Sequence, residues 1–85
     1  MSKFEKAKRR ILGIPADYTY TEMKYLLGKM RFCEYNKGKT SGSRVKFYRE
    51  SDQTIIMFHK AHQGNIMEQG AVKDIVSRLV EMGEL

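Results

Sequence analysis

Hydrophobic positions recur along this chain first with a helical period, then in alternation, then with a helical period again. Phe4, Ala7 and Ile11 form a narrow apolar stripe that predicts a short helix over about residues 2–12, ended by Gly13 and Pro15. The other faces of that helix are basic, so it either docks lightly on the rest of the chain or belongs to a partner surface. The second helix has a marked start. Thr19-Tyr20-Thr21-Glu22 is a T-x-x-E capping box, with Tyr18 before the cap and Met23 after it at the two positions of a hydrophobic staple. Met23, Leu26, Leu27 and Met30 continue at helical spacing, which places the helix at about 20–30. Gly28 weakens its last turn by up to ~1 kcal/mol.

Three strands follow. Residues 32–36 make a short one. Residues 43–50 alternate, with Val45 and Phe47 on one side and Arg44, Lys46 and Tyr48 on the other. Residues 54–60 are the most apolar; Ile56 and Phe58, the bulkier pair, face inward, which leaves Ile55, Met57 and His59 outside. Ser51-Asp52-Gln53 has the length of a hairpin loop, and short connections between successive strands imply an antiparallel meander. After a loop at 61–69, Val72, Ile75, Val76, Leu79 and Met82 give a wide stripe on a helix at about 70–82, with Gly83 at the position of a left-handed cap and Leu85 as its apolar contact. The reading is an α+β fold: a three-stranded antiparallel sheet in the order 1-2-3, two longer helices on one face, and a short N-terminal helix. The second face is left to water or ligand.

Eighty-five residues and 9.9 kDa allow one core. The longest apolar run, residues 55–58, is far short of the ~20 that span a bilayer. Lys3, Glu5, Lys6, Lys8, Arg9 and Arg10 stand where a secretory signal would be apolar. The single cysteine, Cys33, cannot build a disulfide framework and is expected as a small buried residue. The expected location is the cytoplasm, with no membrane contact. The formal net charge of +6 is uneven. Residues 1–31 hold eight basic and three acidic side chains and residues 32–60 six and three, whereas residues 61–85 hold two and four. That polarity suits a polyanion, nucleic acid first; a soluble domain of high pI fits the same numbers.

Residues 36–43 form a Gly/Ser-rich stretch with Lys37 and Lys39. Its Gly38-Lys39-Thr40 ends like a Walker A motif, but Cys33 occupies the first glycine position and no helix follows, so the match fails. What remains can hold a phosphate, and Lys37, Lys39, Ser43, Arg44, Lys46 and Lys60 are the candidate RNA-contacting residues; a solvated hairpin loop is the plain alternative. His59-Lys60-Ala61-His62 is an H-x-x-H pair with no further ligand spaced to complete a metal set, so neither metal nor other cofactor is expected. His59 is of the residue type that serves as a general acid or base near neutral pH; equally, it can be a strand-end histidine bonded to backbone. Tyr18, Tyr20 and Tyr25 read as packing residues. Tyr48, beside Arg44 and Lys46, can stack on a base or simply cover the sheet.

Lys39-Thr40-Ser41-Gly42-Ser43-Arg44-Val45, followed by Phe58-His59-Lys60-Ala61-His62-Gln63-Gly64-Asn65, resembles the HicA-like toxins of bacterial toxin–antitoxin pairs. The resemblance covers about residues 17–85, with residues 1–16 as a helical extension. It implies a double-stranded-RNA-binding-like α-β-β-β-α domain and an endoribonuclease, or mRNA interferase, that needs no metal and is neutralised by a HicB-like antitoxin. In many members a Gly-Ser-His opens the second strand and its histidine is catalytic. Here Arg44 stands at that position, and a guanidinium is a poor proton acceptor. His59, with His62 as a second candidate, takes the catalytic role in this reading. Two others stay open: an RNA-binding module that does not cut, and a protein whose main role is to bind a partner chain. The final helix, where Lys73 and Arg78 are balanced by Asp74 and Glu81, argues against an ordinary double-stranded-RNA module.

Overall fold

In the computed structural model, which describes residues 2–35, 44–59 and 65–85, the elements run α1 (Lys3–Leu12), α2 (Tyr20–Lys29), β1 (Cys33–Glu34), β2 (Arg44–Arg49), β3 (Thr54–His59) and α3 (Gln69–Glu81). The strands form an antiparallel sheet in the order β1-β2-β3, an α+β arrangement. No helix among the described residues is long and apolar enough to cross a membrane.

Local signals set the helix ends. Thr19 Oγ1 accepts from the Glu22 amide at 3.1 Å and Glu22 Oε1 accepts from the Thr19 amide at 3.0 Å, so the capping box is closed. At the end of α3, Gly83 adopts φ 81°, which glycine reaches without steric cost. Its amide donates to the Val80 carbonyl and that of Glu84 to the Leu79 carbonyl, the paired bonds of a Schellman motif.

The core lies between the helices and one face of the sheet. Val45, Phe47, Ile56 and Phe58 meet Met23, Leu26 and Leu27 of α2 and Val72, Ile75, Val76 and Leu79 of α3 in one buried cluster. The inward faces of β2 and β3 are those the alternation predicts. Helix α1 joins the cluster: Ile11 is fully buried, Phe4 and Ala7 pack against it, and Arg10 pairs with both Asp17 and Glu22. Its apolar stripe is thus covered by the molecule itself.

Two features depart from the sequence reading. The first strand is two residues long, with Phe32 buried before it and the Tyr35 amide donating to the Lys46 carbonyl after it. Part of the stretch read as a loop at 61–69 is paired: Ile66 bridges Thr19, the Tyr20 amide donates to the Asn65 carbonyl, and the Met67 amide donates to the Tyr18 carbonyl. Met67 is buried in the core.

Arg49 ends β2 on the inward face and is 8% exposed. Its guanidinium donates to both Asp52 carboxylate oxygens (3.1 and 2.7 Å), to the Met30 carbonyl (3.1 Å) and to Glu84 (2.8 Å), and it lies over the Phe32 ring. This group ties the end of α2, the β2–β3 hairpin and the segment after α3 together. The guanidinium, with help from Thr54, holds the Asp52 carboxyl well below its ordinary value of 3.8. Between those two values the unfolded chain binds more protons than the folded one. The stabilisation is therefore fully present above the ordinary value and lost as pH falls toward the folded one. Asp52→Asn should flatten the fall in Tm between about pH 4 and pH 2 in a series of thermal melts; an unchanged slope would rule the pair out as its cause.

Candidate functional site

The alternation that buries Val45, Phe47 and Arg49 turns Arg44, Lys46 and Tyr48 to the opposite face of β2. On β3, Ile55, Met57 and His59 are exposed. The register makes these residues neighbours: Arg44 pairs with His59, Lys46 with Met57, and Tyr48 with Ile55. Directly opposed side chains on one face stand ~5 Å apart at their β-carbons. The two residues singled out for phosphate binding and proton transfer thus sit side by side at one end of the open face.

Behind them the face becomes aromatic and apolar. Tyr35, Lys46, Tyr48 and Ile55 line a shallow groove of about 360 Å³, and the Lys46 ammonium lies 5.2 Å from the centre of the Tyr35 ring. Tyr35, Ile55 and Met57 are exposed by 39–51%, so half of the six large apolar side chains left in solvent among the described residues gather here. Within the strands themselves the charged residues on this face are Arg44 and Lys46, both cationic, and the acidic Glu50 follows β2 at its far end. Underneath, Phe47 and Phe58 stack with ring centres 5.7 Å apart, which gives the face a firm apolar floor.

Cys33 was expected inside and is exposed. Its register partner is Tyr48, so it belongs to the open face. A two-residue strand has too little alternation to fix its phase, and Phe32, the bulkier neighbour, takes the inward position. Tyr35 was not picked out from the sequence, although its place two residues after Cys33 puts it on the same side. Lys37, Lys39, Ser43, Lys60 and His62 lie outside the described residues; Ser43 and Lys60 directly flank Arg44 and His59 in the chain.

Two other surfaces are concave and carry basic side chains. A groove of about 510 Å³ runs along β3 beside α3, with His59 in its lining, but Lys73 and Arg78 share that lining with Glu68 and Asp74. Between α1 and α2 a hollow of about 420 Å³ holds Lys3, Lys6 and Arg10. Arg10 is occupied by Asp17 and Glu22, and Lys3 lies over Tyr25. Among the described residues no group of three His, Cys, Asp or Glu side chains is placed to hold a metal ion. No protein-family model, curated protein or solved structure matches the chain.

Proposed function

We propose that this chain is a HicA-like ribonuclease toxin that binds messenger RNA in the cytoplasm across its open sheet face and cuts it beside Arg44 and His59. The observation that carries the reading is the register pair Arg44–His59 at the end of an exposed face whose strand residues include two cationic and no acidic side chains. The K-T-S-G-S-R-V and H-K-x-H-x-G-N stretches support it.

Among the described residues no nucleophile is paired with a base at this end of the face, and the attacking group in this reading is the RNA's own 2′-hydroxyl. Its oxygen bonds to the adjacent phosphorus as the bond from phosphorus to the 5′-oxygen breaks. The 2′-hydroxyl proton passes to the neutral His59 imidazole. The departing 5′-oxygen takes a proton from a second donor, the role that falls to His62. Arg44 meets the charge that gathers on the non-bridging oxygens, where a fixed cation contributes most. A HicB-like antitoxin is the partner that would cover this face.

Incubating the purified chain with an RNA oligonucleotide and with its fully 2′-O-methylated counterpart tests the chemistry. The RNA should give fragments ending in 2′,3′-cyclic phosphate and 5′-hydroxyl, equally in EDTA, and the methylated strand should stay whole. Cleavage of the methylated strand, or no cleavage of either, would defeat the ribonuclease reading.

A further inference from the structure

Resting on the reading of the open face as the RNA site, we infer that its aromatic half is a base-stacking platform, built from Tyr35 and Tyr48, that selects single-stranded over duplex RNA. The face has two chemically distinct halves. Arg44 and His59 pair at one end, while Tyr35, Tyr48 and Ile55 line the groove further along β2, with Lys46 between the two. Residues two apart on a strand are separated by ~6.7 Å, so Tyr48 lies two such steps from Arg44. Phosphates and bases of one extended strand can therefore be met separately.

A duplex gives the aromatic half of this surface nothing to match. Paired bases keep their faces inside the stack, and a double-stranded RNA helix presents phosphates and 2′-hydroxyls instead. A single strand exposes both the charge that Arg44 and Lys46 attract and the ring faces that tyrosines stack on. Sheets with aromatic side chains in this role hold two or three bases. The Lys46 ammonium lies over the Tyr35 ring itself, so a base that stacks on that face displaces it and keeps it as a neighbouring cation. The platform also accounts for the exposed apolar area of Tyr35, Ile55 and Met57.

Cys33 provides the test. It is the only cysteine, it is exposed, and its register partner is Tyr48. The rate of its alkylation by iodoacetamide is measured in the unaltered protein with a 2′-O-methyl RNA strand, which cannot be cut, and with the same strand annealed to its complement. The single strand should slow alkylation several-fold at saturation, and the duplex should leave it unchanged. Tyr35→Ala and Tyr48→Ala should each weaken single-strand binding by roughly five- to a hundredfold with the salt slope unaltered, and Tyr48→Phe should restore affinity. Lys46→Met should instead take about 0.7 from the log–log salt slope. Unchanged Cys33 reactivity at saturating single strand, equal protection by the duplex, or tyrosine variants that bind normally would each overturn the platform. Protection of Cys33 without cleavage of ordinary RNA would retain the platform and remove the ribonuclease reading, and cleavage without protection would do the reverse.

Discussion

His59→Gln should lower the rate of RNA cleavage at least about a hundredfold, the lower bound for loss of a general acid or base, while fold and RNA affinity persist. His59 is exposed at the end of β3, and the core residue before it, Phe58, is untouched by the change. Glutamine keeps a polar side chain of similar reach but cannot take up a proton near neutral pH. The neighbouring Arg44 cannot stand in, because a guanidinium stays protonated. Single-turnover cleavage measured with saturating enzyme separates the chemical step from binding, and the 2′-O-methyl strand reports affinity on its own. A His59→Gln protein that cuts at the original rate would show that proton transfer belongs to another group. Arg44→Gln, in contrast, should weaken both cleavage and binding, since it removes a phosphate contact as well as charge stabilisation.

Arg49→Met should cost about 3 kcal/mol of stability, which for a domain of this size is a fall in Tm of roughly 12–24 °C. The figure sits at the low end for breaking a buried ion pair because Asp52 and Glu84, with side chains 47% and 30% exposed, regain water when the guanidinium is gone. The Met30 carbonyl loses its guanidinium donor as well. Methionine preserves much of the stem and its packing near Phe32, so the loss reads the polar network and not a cavity. Glu84→Gln should cost distinctly less, since the guanidinium keeps Asp52 and Met30. Thermal melts at neutral pH decide it: a Tm within 4 °C of the original would mean that the network adds little. RNA binding should be unaffected below the lowered Tm, because Arg49 points away from the open face.

The elements that were legible in the sequence carry short-range signals. The capping box needs four consecutive residues, and the alternation of β2 and the stripe of α3 need one element each. With those phases known, a hairpin at 51–53 places Arg44 opposite His59 by counting. What was not legible depends on distant chain or on too few residues. Arg49 follows the inward phase of Val45 and Phe47, but its burial requires partners at positions 30, 52 and 84 that no local pattern announces. Ile66 and Met67 in a polar stretch are the local hint that residues 65–67 pair with the start of α2, and the pairing itself spans more than forty residues. Cys33 and Tyr35 belong to a strand too short to show its own period. The candidate site was therefore partly readable: its basic and imidazole end and Tyr48 from β2 and β3, Tyr35 and Cys33 only once β1 was in place.

The strand that carries His59 also has a colloidal consequence. Thr54–His59 reads Thr-Ile-Ile-Met-Phe-His, with no proline and neither Lys, Arg, Asp nor Glu, and it ends the strand order, so among the described residues its outer backbone groups meet no further strand. Such an edge is a template on which a second copy can add. The net charge of +6 opposes that encounter by mutual repulsion, and dissolved salt weakens the repulsion within a Debye length of ~8 Å at physiological ionic strength. Solutions of this protein should accordingly keep best when dilute and low in salt, and concentrating them in high salt should bring light scattering before any loss of helix signal.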